Sequence, residues 1–95
     1  MTERIIVIGS GFGGLASALR ARNMGFDVTV IERLDQLGGR AQTFERDGFV
    51  FDAGPTVITA PFLFDELFEL FDRKIEDYVE IMPVTPWYRY EFNDG

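Results

Sequence analysis

Apolar residues follow two regimes along this chain, short β-branched runs and stretches of helical spacing, with glycines between them. Arg4–Ile8 is a β-branched run that stops at Gly9, the pattern of a buried strand. Across 13–24 the residues Leu15, Ala18, Leu19 and Ala21 recur at helical spacing without an intervening proline. Gly25 then suits the left-handed position that ends a helix. A second β-branched run at 28–31 completes strand, helix and strand within about thirty residues, which is one right-handed βαβ unit at 4–32. The pattern changes after Glu32. A second glycine pair falls within 36–40, 41–46 reads as extended, and Asp47-Gly48 is a hairpin signal leading into Phe49–Asp52. Gly54-Pro55 breaks the chain again. The stretch 62–71 predicts a short apolar helix with Phe64, Leu67, Phe68 and Phe71 on one face, and 84–92 reads as extended. Asn93-Asp94-Gly95 is turn chemistry, so the chain is expected to be the opening part of a longer one. No internal repeat interrupts this order. The fold class expected is α/β.

Composition narrows the chemistry more than the fold. Ninety-five residues suit one small domain with a modest core, and 46% apolar content with ten phenylalanines is that of a folding chain. Neither cysteine nor histidine is present, which removes thiolate nucleophiles, disulfides, thiolate metal sites and the commonest general base. No metal site is expected, and no side chain is assigned as a catalyst. A net charge of −7 repels nucleic acid. No run reaches the roughly 18 apolar residues of a spanning helix. The first fourteen residues carry glycines where a signal peptide would stay apolar, so they are expected to be a mature start facing the cytoplasm. Glu76, Asp77 and Glu80 are read as a solvated face.

The glycines between the first strand and the first helix are the main candidate site. Gly9, Gly11 and Gly14 form G-x-G-x-x-G, with Phe12 and Gly13 completing the loop at the helix opening. The first glycine allows a sharp turn, the second lets backbone approach a pyrophosphate, and the third lets helix pack on strand. The pyrophosphate would then lie on the helix N-terminus, where unpaired N–H groups and the dipole favour an anion. Glu32 ends the second strand, 18 positions after Gly14, where a carboxylate can accept from ribose hydroxyls and would repel a 2′-phosphate. The reading is a Rossmann-like dinucleotide-binding domain for FAD or NAD(P), with NADP the poorest fit. Turn geometry alone remains the competing explanation of the glycines.

The residues after Glu32 favour FAD. The string ERLDQLGGRAQTF resembles the flavoprotein signature E-R-x-x-x-x-G-G-R-x-x-S/T of amine oxidases, protoporphyrinogen oxidases and carotenoid desaturases. Glu32, Arg33, Gly38, Gly39, Arg40 and Thr43 fill its fixed positions. Gly38 and Gly39 would admit backbone close to the cofactor, and Arg40 would offer a guanidinium to the pyrophosphate. The following GFVFDAGPTVITAPFLFDELFEL resembles the bacterial-type phytoene desaturases, in which a D-A-G-P-T-V/I-I/L-T block follows the doublet. DYVEIMPVTPWYRYEFNDG is similar to the way that family continues.

The resemblance implies an FAD-dependent oxidoreductase of carotenoid biosynthesis that desaturates phytoene or a related polyene. It implies Gly54, Pro55 and Thr56 near the flavin, with Asp52 before them in a structural role, and quinone or oxygen as electron acceptor. It further implies a cytoplasmic protein, peripheral at the inner face of the cell membrane, whose substrate domain and second FAD segment lie outside 1–95. Within the chain it divides 4–32 as the ADP-binding unit, 33–56 as the glycine-doublet segment and 57–95 as the start of further elements. Three alternatives stand beside it: another oxidase of the superfamily, a carotenoid isomerase, and a non-catalytic relative similar to the Rab GDP-dissociation inhibitors. The phenylalanine stripe of 62–71 is read as core rather than lipid contact, because Asp65, Glu66 and Glu69 share that helix. Trp87, Tyr88 and Tyr90 suit either a substrate pocket or a packed sheet face.

Overall fold

The computed structural model describes residues 2–54, 57–86 and 89–93. Strand β1 (Arg4–Ile8) and strand β2 (Asp27–Ile31) pair in parallel, in a register running from Arg4 opposite Asp27 to Ile8 opposite Ile31. Helix α1 (Phe12–Asn23) crosses between them. Met24 caps α1, and Gly25 follows at φ 100°, the left-handed position for which glycine is suited. Alternation along the strands turns Ile5, Val7, Val28 and Val30 toward α1, where Ala18 is buried. The opposite face keeps Ile6, Ile8 and Ile31 in the open, with Ile8 85% exposed.

Strand β3 (Thr43–Arg46) and strand β4 (Phe49–Asp52) form the antiparallel hairpin expected from Asp47-Gly48. Both turn residues have positive φ, 53° and 82°, as a two-residue turn matched to strand twist requires. Phe44 and Phe51 face each other across the pair and stack at 5.3 Å. Helix α2 (Phe62–Glu69) lies against α1 through an edge-to-face contact of Phe12 with Phe64 at 5.4 Å and an Arg20–Glu66 ion pair at 3.5 Å. A 3-10 turn at Ile75–Asp77 buries Ile75, next to a Phe68–Tyr78 ring contact.

Three expectations change. Residues 39–41 form a 3-10 turn and β3 starts only at Thr43, because Gly38 and Gly39 hold positive φ and curl the chain before it extends. The described residues of 84–92 form no strand, since a strand needs a ladder partner for its backbone groups. Trp87 and Tyr88 lie outside the described residues. The phenylalanine face of α2 is half-buried rather than buried. The core is thinner than composition suggests, because one helix on two strands covers one sheet face. The radius of gyration is 17.3 Å, against about 13 Å for a compact chain of this size.

Candidate dinucleotide site

The site begins where β1 runs out. Gly9, at φ 104°, donates its amide to the Ile31 carbonyl at 2.8 Å, so the glycine loop stays tied to the end of β2. Gly11 is the N-cap of α1, and the first helical bond runs from the Leu15 amide to the Gly11 carbonyl at 2.9 Å. The amides of Phe12, Gly13 and Gly14 therefore precede the helical ladder. No side chain caps them and no acidic residue occupies the first turn. This is a helix terminus ready for an anion. A Cβ on Gly9 or on Gly13 would meet nothing within 4 Å. At Gly14 it would collide with the Gly9 carbonyl and reach Val7 Cγ1 at 3.6 Å, so Gly14 sets how closely α1 lies on β1.

Glu32 stands at the end of β2 beside that loop. Its Oε1 accepts from the Ser10 amide at 3.0 Å and from the Ser10 hydroxyl at 2.5 Å, while Oε2 accepts from the Leu34 amide at 2.9 Å. The Leu34 amide, then the Ser10 hydroxyl and the Ser10 amide, lower its pKa from 4.5 to about 2, with desolvation opposing them and the Arg33 amide adding a little. Glu32 is thus a fixed carboxylate with acceptor capacity to spare.

The glycine doublet closes the other side. The Gly38 amide donates to the Ser10 carbonyl at 2.8 Å, and a Cβ on Gly39 would come within 3.0 Å of Gly11 Cα. The two glycine elements therefore meet backbone to backbone, a use of Gly39 that a cofactor contact alone would not suggest. Gly54 serves the same assembly. A Cβ there would run into the Arg40 carbonyl, and the Ala53 amide donates to the Gln42 carbonyl at 2.8 Å, so the hairpin braces the doublet turn. Arg40 and Arg33 are exposed and make no ion pair among the described residues. Pro55 and Thr56, the other two candidates, lie outside the described residues. A surface cleft of about 430 Å³ is lined by Phe71, Asp72, Arg73, Lys74, Asp77 and Tyr78, sharing no residue with the glycine loops. Its cations and carboxylates oppose one another, so the chemistry favours the loops as the site.

Ser10 was invisible in the sequence. It occupies a variable position of the glycine motif, and its partner lies 22 positions away. The only available signal was a small hydroxyl residue beside two glycines.

An uncapped helix terminus, a free guanidinium and an ionised acid suit a molecule with a diphosphate and a ribose. The family described as NAD(P)-binding Rossmann-like domain matches residues 7–73. The chain belongs to that family. Its Rossmann-like domain is 52% identical over 89 residues to a lycopene-forming phytoene desaturase of Pantoea ananas, covering 94% of this chain and 18% of that protein. A 4,4'-diapolycopene oxygenase of a Methylomonas species is 43% identical over 98% of this chain and 19% of its own length. Among solved structures, an oxidoreductase from Methanosarcina mazei superposes with a TM-score of 0.51 at 42% identity, over 55% of this chain and 12% of that one. The chain thus spans under a fifth of the length of the curated relatives it matches. The resemblance to carotenoid desaturases read from the glycine doublet and the D-A-G-P block is borne out, as is the Rossmann-like fold.

Proposed function

We propose that this Rossmann-like domain cradles the ADP half of FAD in an oxidoreductase that desaturates phytoene or a related polyene. The observation that carries the reading is the joint between two glycine elements, Gly39 against Gly11 and Gly38 on Ser10, beside an ionised Glu32. In that reading the amides of Phe12, Gly13 and Gly14 and the Arg40 guanidinium hold the pyrophosphate, and Glu32 accepts from the ribose. The family resemblance assigns Gly54, Pro55 and Thr56 to the flavin side of the cofactor. FAD supplies the hydride-accepting chemistry when bound. The residues here bind and orient it.

The relatives' names support a carotenoid substrate for the whole protein. Such a polyene is insoluble in water, which favours work at a membrane surface; the cytoplasmic face and quinone or oxygen as acceptor complete the proposal. The test is to purify the full-length protein, identify its bound cofactor, and supply phytoene in liposomes with a quinone. The expected result is co-purified FAD and a product whose lengthened conjugation absorbs in the visible. Co-purified NAD, or unchanged phytoene with FAD present, refutes the corresponding half of the reading. The 43% identity to a diapolycopene oxygenase favours a second reading, oxygen insertion into a carotenoid, which a product heavier by oxygen would select.

A further inference from the structure

Ser10 is fully buried, and all three of its polar groups are committed: the amide and hydroxyl donate to Glu32 Oε1, and the carbonyl accepts from Gly38. A carboxylate offers about four acceptor positions. Ser10 takes two on Oε1 and Leu34 takes one on Oε2. The capacity left for a ligand therefore lies on Oε2, and the Oε1 bonds decide where Oε2 points. We propose that Ser10 is a positioning residue for ribose recognition: its hydroxyl pins Oε1 of Glu32 so that Oε2 meets the 2′-hydroxyl of an adenine ribose. The proposal rests on the dinucleotide reading above and deepens it. The selectivity for a ribose hydroxyl then resides in a pair of residues, of which only Glu32 touches the sugar.

The test compares ADP with 2′-deoxy-ADP as competitors of FAD rebinding to the full-length apoprotein. A hydrogen bond to an ionised group gives the wild type a preference of roughly tenfold or more for ADP. Ser10→Ala should cut that preference at least about threefold, because the carboxylate, left with only the amides of Ser10 and Leu34, is held less firmly in one orientation. Ser10→Cys fills the site with a somewhat larger group that is only a weak donor, so it should lose the preference as Ser10→Ala does without leaving a cavity. In a Glu32→Gln background, removing the Ser10 hydroxyl should leave the residual preference unchanged. Variants that weaken both nucleotides equally, with the preference intact, overturn the proposal and leave Ser10 a packing residue. A wild type that prefers neither nucleotide while still binding FAD overturns the ribose contact of Glu32. A wild type that binds neither nucleotide nor FAD overturns the dinucleotide reading as well.

Discussion

Gly13 and Gly14 are neighbours in the first turn of α1, and alanine should have opposite effects on them. Both are helical positions without positive φ, so alanine brings each the same propensity gain of about 0.8–1 kcal/mol. At Gly13 the new methyl meets nothing within 4 Å, and that gain is kept. At Gly14 it collides with the carbonyl oxygen of Gly9 and stands 3.0 Å from that carbonyl's carbon. Those atoms are backbone, held in place by the bond from the Gly9 amide to Ile31, and cannot rotate aside as a side chain would. Moving α1 off β1 to make room costs roughly 1–3 kcal/mol. Propensity cancels between the two variants, so their difference isolates the collision at that same roughly 1–3 kcal/mol. Urea unfolding of the full-length variants, read as midpoint at constant slope, measures it. Gly13→Ala should unfold at or above the wild-type midpoint and Gly14→Ala below it. Equal midpoints would refute the argument that close approach of α1 to β1 is what requires glycine at 14.

Two further predictions concern charge and packing. Glu32 is held at about 2, below its ordinary 4.5, so it contributes stability that is complete above 4.5 and is lost as pH falls through about 2. Glu32→Gln should therefore flatten the acid side of the stability curve within that window, and a variant whose acid unfolding tracks the wild type would contradict the assignment. Phe64→Ala removes the half-buried ring that meets Phe12 and should cost about 1–3 kcal/mol, whereas Glu66→Gln, which breaks an exposed ion pair to Arg20, should cost under about 1 kcal/mol. Urea midpoints in the reverse order would show that charge, not aromatic contact, joins α2 to α1.

What could be read from the sequence was what local chemistry fixes. The two strands and α1 follow from periodicity within a few residues, and Asp47-Gly48 announces its own turn. Gly9, Gly11, Gly14 and Glu32 were legible because their spacing within one βαβ unit is set by the unit itself. The 3-10 turn at Gly39–Ala41 was missed because the curl imposed by Gly38 and Gly39 outweighs the extended preference of the residues after them. Ser10, and the bracing of Arg40 by Gly54, depend on segments meeting through space and leave no local pattern. Exposure depends on through-space meetings as well. Phe44, Phe49 and Phe51 have the composition of a core, but the hairpin face that carries them is open.

The bond from Gly38 to Ser10 has a consequence for how this region can vary. Ser10 holds Glu32 on one side and Gly38 on the other, so the chain from 32 to 38 leaves and returns to a single residue. Its span is fixed at both ends, while Arg33, Leu34, Asp35, Gln36 and Leu37 all face outward. Apart from Arg33, a fixed position of the flavoprotein signature, such a segment is tolerant in side chain and rigid in length: exposed side chains at 34–37 can change at little cost, but one inserted or deleted residue detaches the glycine doublet from the loop it joins. The hairpin tip at Asp47-Gly48 has the opposite character, open at its end and tied only through its strands, and it is there that the domain can accept added sequence.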